Sequence, residues 1–264
     1  MIVYLGYLGA LCIGLILGLT GGGGSILTVP VLVYLIGLDP VIATGYSLFI
    51  VGTTSAFGTI QNMRKGIVDV KTALVYAIPS FIAVFLTRKY IVPSIPETIF
   101  ENGSLLVSKN ILLMVLFAVV MLAAAISMLA KKNTEPDTES KNPNRIFSII
   151  RMFLVGILIG MVGAGGGFLF IPVLVFIARL PMRKAVATSL LIIALNSLIG
   201  FTGDIGNHEI DWAFLLGFTT ISIVGIFIGI YWSKSVNESQ LKKGFAWFVI
   251  AMAAFILARE FGTL

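Results

Sequence analysis

Gly18–Val33 reads GLTGGGGSILTVPVLV, and Gly160–Val175 reads GMVGAGGGFLFIPVLV. The two stretches align without a gap at an offset of 142 residues (18 to 160). In each, a glycine cluster is followed by a proline, Pro30 or Pro172. Glycine weakens a helix interior, and proline lacks the N–H and clashes with the preceding turn. Each stretch therefore predicts a helix, a glycine-rich turn and a second helix. Two geometries remain open: a hairpin that enters and leaves on one face, or a broken helix that crosses once.

The same offset extends outward. It pairs Ala43, Ser47, Leu48, Ser55 and Gly58 with Ala185, Ser189, Leu190, Ser197 and Gly200, and Asp69 with Asp211. One glycine cluster is weak evidence, but a chain of matches at a single offset predicts an internal repeat. The boundaries follow from composition. Residues 1–130 form the first repeat, 146–264 the second, and 131–145 (KKNTEPDTESKNPNR) a hydrophilic linker with two prolines and no apolar periodicity. Each repeat holds four hydrophobic segments. Pro93–Lys109 reads as a further loop with a short interfacial turn.

The segments are membrane spans. Hydrophobic residues make up 58% of the chain and charged residues 11%, too few to coat a soluble protein of this size. Pro40–Met63, Asn110–Ala130, Met152–Ala178, Ala185–Gly203 and Trp212–Ser233 carry no charge. About 20 such residues cross a hydrocarbon core. The runs are too long and too continuously apolar for β-barrel strands, so the expected fold class is all-α, a polytopic membrane helical bundle. The N-terminal run lacks a basic leader region and reads as the first membrane element rather than a cleaved signal.

The net charge of +6 does not indicate nucleic acid, because Lys and Arg beside hydrophobic spans report topology. If each first segment crosses once, the basic residues divide evenly between the two sides. If each is a hairpin, fourteen fall on one side, including Arg64, Lys65, Lys71, Arg183 and Lys184. Only Arg88, Lys89, Lys109 and Arg259 fall on the other. The charge bias favours hairpins, with both termini outside the cytoplasm. Three crossings after each hairpin then make the two repeats inverted, a plan used by secondary transporters.

Candidate site residues cluster at the breaks. Thr20, Gly21, Gly22, Gly23, Gly24 and Ser25 are matched by Gly163, Ala164, Gly165, Gly166 and Gly167. The second arm of each element begins there, with N–H groups that lack intrahelical partners and suit an anion. Close packing of small residues is the competing reading. Ser47, Thr54, Ser189 and Asn196, on the segments that follow, offer neutral donors to an oxyanion. Gln61 and Asn62, beside Arg64 and Lys65, suit a gate or an interface anchor, and Pro30 and Pro172 shape the breaks. Asp69 and Asp211 are expected to cap helices. No ionisable side chain is expected deep within a span, so the sequence shows no intramembrane proton relay. The driving force stays open between a proton gradient and the membrane potential, and the oligomeric state stays open too. One cysteine and one histidine give no metal site, no cofactor is implied, and no catalytic motif is visible, so an enzyme is not expected.

GLTGGGGSILTVPVL and GMVGAGGGFLFIPVL, each followed by a Ser-Leu pair (Ser47-Leu48 and Ser189-Leu190), resemble the sulfite exporter TauE/SafE family, also called the 4-toluene sulfonate uptake permease family. The resemblance runs from about Tyr7 to Phe261. It implies a multi-pass permease of a prokaryotic cytoplasmic (inner) membrane, both repeats forming one transport domain among membrane lipids. It implies a small anionic substrate such as sulfite or an organosulfonate, with export the family default. The family's glycines carry over to Gly21, Gly23, Gly24, Gly163, Gly165 and Gly166, and its prolines to Pro30 and Pro172. An anion channel, or an uptake carrier for another small organic anion, fits the same residues.

Overall fold

A computed structural model describes residues 2–22, 24–102, 105–130, 145–163, 165–176, 178–207, 209–233 and 238–261. The predicted linker, apart from Arg145, lies outside the described residues, as do Gly23, Ala164 and His208. The described chain is helical throughout, apart from one short β-hairpin.

The first element is α1 (Ile2–Thr20), a turn at Gly21–Gly22, and α2 (Gly24–Ile36), whose second part, Val31–Ile36, is π-helical. The wider turn begins directly after Pro30, where the i−4 hydrogen bond is missing. Gly24 packs on Ile13 and Leu17, Gly9 on Val31 and Leu35, and Gly6 on Ile36. The two arms therefore run antiparallel, and the element is a hairpin rather than a single broken crossing. α3 (Pro40–Arg64) follows, capped by the carboxylate of Asp39, which accepts from Val41 N at 2.8 Å. α4 runs over Val70–Ser94, with a π-helical turn at Thr87–Ile91.

The predicted loop between Pro93 and Lys109 contains two antiparallel strands, β1 (Thr98–Asn102) and β2 (Leu105–Ser108), pairing Thr98 with Ser108 and Asn102 with Leu105. α5 is Lys109–Ala130. The second half supplies α6 (Arg145–Val162), α7 (Gly167–Phe176), α8 (Met182–Thr202), α9 (Trp212–Trp232) and α10 (Glu238–Phe261). Among the described residues, five helices are long and apolar enough to cross a membrane: α3, α4, α5, α8 and α9.

Helices of the two halves contact one another in pairs that the 142-residue offset exchanges. Gly14 on α1 packs on the Ser222 carbonyl of α9, and Gly156 on α6 packs on the Ser80 carbonyl of α4. Gly18 meets Ile226 and Gly229, while Gly160 meets Val84 and Thr87. Each partner is displaced by the same 142 positions (14 to 156, 80 to 222). Small residues let these backbones touch, which is how helices adhere in lipid. Gly225 does the same, but Gly217 has only Tyr7 Oη nearby, at 3.7 Å, so it is not a packing glycine.

At the centre, α3 lies along α8. Gly45 faces Asp204, Gly52 faces Ser197 and Leu198, and Gly58 faces Leu190. As numbers rise on one helix they fall on the other, so α3 and α8 are antiparallel. Asp69 N donates to Thr188 Oγ1 at 3.0 Å, which brings the end of α3, the start of α4 and the start of α8 together. That end of the bundle carries Arg64, Lys65, Lys71, Arg183 and Lys184. The opposite end holds the start of α3, the start of α9 (Asp211 N to Tyr46 Oη, 2.7 Å) and the start of α5 (Asn110 Nδ2 to Asp39 Oδ2, 2.7 Å).

Candidate functional site

The glycine turns are sharp and they meet. Gly21 has φ +72°, and Gly163, Gly165 and Gly166 have φ +70°, +64° and +73°, left-handed values that glycine adopts without strain. Gly22 lies backbone to backbone against Gly167, so the tips of the two helix–turn–helix elements touch between α3 and α8. Each tip rests on the partner half's long helix. Gly21 packs on Val186 of α8, and Gly163 packs on the repeat-equivalent Thr44 of α3. A methyl group added at Gly165 would sit 2.7 Å from Ser197 Oγ and 2.9 Å from Val51.

The predicted hydroxyls divide into two kinds. Thr20 Oγ1 donates to the Ile16 carbonyl at 2.8 Å, and Ser25 Oγ to the Gly22 carbonyl at 2.6 Å. Ser189 Oγ reaches the Gly21 carbonyl at 2.7 Å and the Val186 carbonyl at 2.8 Å, fastening α8 to the first turn. These three are committed to the protein's own backbone. Ser47, the repeat partner of Ser189, is fully buried and makes no hydrogen bond; neither does Thr54. Ser55 and Ser197, the matched hydroxyls further along the same two helices, are also fully buried and unpaired. Asn196 Nδ2 donates to Ser80 Oγ at 2.8 Å, yet its Oδ1 has no partner. Buried polar groups are normally satisfied, so five unpaired ones on two adjoining helices demand a reason.

Their spacing is regular. Thr44, Ser47, Val51 and Ser55 recur at three and four residues, which places them on one face of α3. Val186, Ser189, Ile193 and Ser197 repeat the pattern on α8. Further along α3, Gln61 is half-buried with Oε1 unpaired, and the Asn62 side chain is buried. The Asn62 carbonyl accepts from Lys65 N and Ile67 N, which closes the helix. Pro30 is buried at the π-helical junction of α2. Pro172 sits within α7, but its side chain lies outside the described residues.

One expectation fails. Arg88, expected to flank its apolar run, is a buried side chain within the helix that the run forms. Arg88 lies inside the α4 span and is completely buried; Asp204 is 8% exposed. Arg88 Nε donates to Asp204 Oδ2 at 2.8 Å, and Nη2 lies 2.6 Å from the same oxygen. Nη1 reaches Thr44 Oγ1 at 3.1 Å and the Gly160 carbonyl at 3.4 Å. A guanidinium has five donors in a fixed fork, and here the fork bridges α3, α4, α6 and the end of α8. Lys109 is also buried, with Glu97 at 3.8 Å. Sequence reasoning missed Arg88 because it directly precedes Lys89 at the end of an apolar run. The π-helical turn at Thr87–Ile91 carries the helix on past it. Breaking a buried pair by removing one partner costs about 3–5 kcal/mol.

Asp69 and Asp211 do cap helices, accepting from Thr72 N at 2.9 Å and Phe214 N at 3.0 Å. No group of three or more His, Cys, Asp or Glu side chains is placed to hold a metal among the described residues.

The comparisons agree across the chain. The family model described as sulfite exporter TauE/SafE matches residues 6–256. A probable membrane transporter protein of Xylella fastidiosa is 30% identical over 96% of this chain and 94% of its own length. The probable membrane transporter protein YunE of Bacillus subtilis is 26% identical over 88% of each. No solved structure matches.

Proposed function

This chain belongs to the sulfite exporter TauE/SafE family of membrane transporters, and from that premise we propose that it is a secondary carrier for a sulfur-containing oxyanion such as sulfite or an organosulfonate. The single observation that carries this reading is the group of buried, unpaired donors (Ser47, Thr54, Ser55 and Ser197) on α3 and α8, the two helices on which the touching glycine turns rest, with Ser197 facing Gly165. Hydroxyls pay their desolvation cost only if something accepts from them, and an oxyanion presents several acceptors at once. The neutral donor set suits an anion that must also be released, since a permanent charge at every step would hold it. The unpaired Oδ1 of Asn196 can accept a hydrogen bond from a protonated anion or from water.

The antiparallel relation of α3 and α8, which are repeat partners, supports an inverted arrangement. Two-fold exchange then lets the site between the two halves open at either end, the basis of alternating access. The orientation follows the charges. The end bearing Arg64, Lys65, Lys71, Arg183 and Lys184 faces the cytoplasm of a prokaryotic inner membrane, and both termini lie outside. Export is the direction taken from the family name.

The test is flux in proteoliposomes. Sulfite, thiosulfate, sulfate and a sulfonate are offered with and without a pH gradient. Saturable flux of sulfite or sulfonate that is accelerated by counter-substrate supports a carrier. Linear, non-exchanging flux makes the protein an anion channel. Absence of flux for every sulfur anion refutes the substrate class.

A further inference from the structure

Arg88 and Asp204 close one end of the donor file and have no counterpart at the other. Under the 142-residue offset Arg88 corresponds to Ile230 and Asp204 to Asn62. The only fully buried cation among the described residues therefore stands on one side of the two-fold arrangement. It is joined to the file directly. Thr44 accepts from Arg88 Nη1, and Ser47 is the next residue on the same face of α3. Thr44 is also the residue on which the turn glycine Gly163 rests.

We propose that Arg88 is an anion-binding residue of the permeation path, and that Asp204 is its resting occupant, displaced by an incoming oxyanion. The inference rests on the carrier reading above. A carboxylate and a sulfite or sulfonate group offer a guanidinium the same paired oxygen acceptors. The two partners differ in burial and in place. Arg88 is completely buried and keeps two contacts that do not involve Asp204, to Thr44 and to the Gly160 carbonyl. Asp204 stands just past the end of α8, in a turn whose Gly206 has φ +95° and whose next residue, Ile205, is 55% exposed. Its side chain is already 10% exposed, so it has a short route to water. Losing Asp204 to solvent leaves the arginine in place and charged, facing Thr44 and the donor file. The pair is then an outer gate: closed by the protein's own carboxylate, opened by the substrate that competes with it.

The purified full-length protein in detergent tests this by thermal shift with sodium sulfite and sodium methanesulfonate, against sodium chloride at matched ionic strength. Asp204→Asn removes the competitor. Because apparent affinity scales with the fraction of protein in the competent state, it should tighten sulfite binding by about tenfold. Sulfite should also restore melting temperature that Asp204→Asn loses on its own. The neutral double variant Arg88→Gln/Asp204→Asn keeps a hydrogen-bonding pair without charge and should lose the sulfite response. A double variant that responds like the wild type overturns the proposal. So does an Asp204→Asn protein that binds sulfite no more tightly than the wild type. Flux separates the two readings. Arg88-dependent anion binding without sulfur-anion flux defeats the carrier reading and leaves the anion site standing. Sulfur-anion flux unchanged in the double variant defeats the anion site and leaves the carrier.

Discussion

Gly22 lies against Gly167 backbone to backbone, so the tips of the two helix–turn–helix elements are in contact at the centre of the bundle. A side chain at either position must push into main chain, not into a flexible neighbour. The contact makes the relative position of the two halves sensitive to a single methyl group.

Gly165→Leu tests that sensitivity beside the donor file. Its φ of +64° is strained for leucine, and the first carbon already meets Ser197 and Val51. Overpacking of this kind costs about 1–3 kcal/mol. The protein should still insert, as judged by membrane yield and monodispersity, and flux should be abolished. Full flux would remove the turns from the proposed site.

The unpaired hydroxyls separate stability from activity. Thr54→Val and Ser197→Ala remove groups that make no hydrogen bond, so melting temperature should hold or rise slightly. Ser189→Ala removes the bond to the Gly21 carbonyl and should cost about 1 kcal/mol. Sulfite flux should fall in the first two despite their stability. If flux instead tracks melting temperature across all three, the hydroxyls are packing groups.

Asp69 gives a pH-dependent contribution. Its carboxyl is held below the ordinary aspartate value, chiefly by the Thr72 N–H, opposed by burial and aided by the Thr72 hydroxyl and Lys184. A depressed carboxyl stabilises the fold above its ordinary value, and the contribution disappears as pH falls through the lowered one. Asp69→Ala should therefore cost about 1 kcal/mol at neutral pH, as for other N-caps. The difference from wild type should shrink below about pH 4, close to the ordinary aspartate value. Melting curves at pH 7 and in acid decide it; a constant difference contradicts the cap's role.

Topology is accessible to thiol labelling in a Cys12→Ser background. Lys65→Cys, at the end of α3, should react only from the cytoplasmic face. Glu97→Cys, before β1, should react only from outside. Both residues reacting from the same face would end the inverted arrangement.

Much of this protein was written locally. Apolar runs long enough for a bilayer, a glycine cluster followed by proline, and matches at one offset are properties of neighbouring residues. They set the membrane class, the positions of the breaks and the Asp69 and Asp211 caps. The tertiary structure decided the rest, because contacts between segments far apart in the chain are invisible to local pattern. The antiparallel apposition of α3 and α8 sets which hydroxyls are spent and which are spare: Ser189 finds the Gly21 carbonyl 168 residues away, while its repeat partner Ser47 finds nothing. The same packing buries Arg88, which in the sequence is only one of four basic residues on the less basic side. Its carboxylate partner is 116 residues away, and no periodicity in the sequence could have joined them.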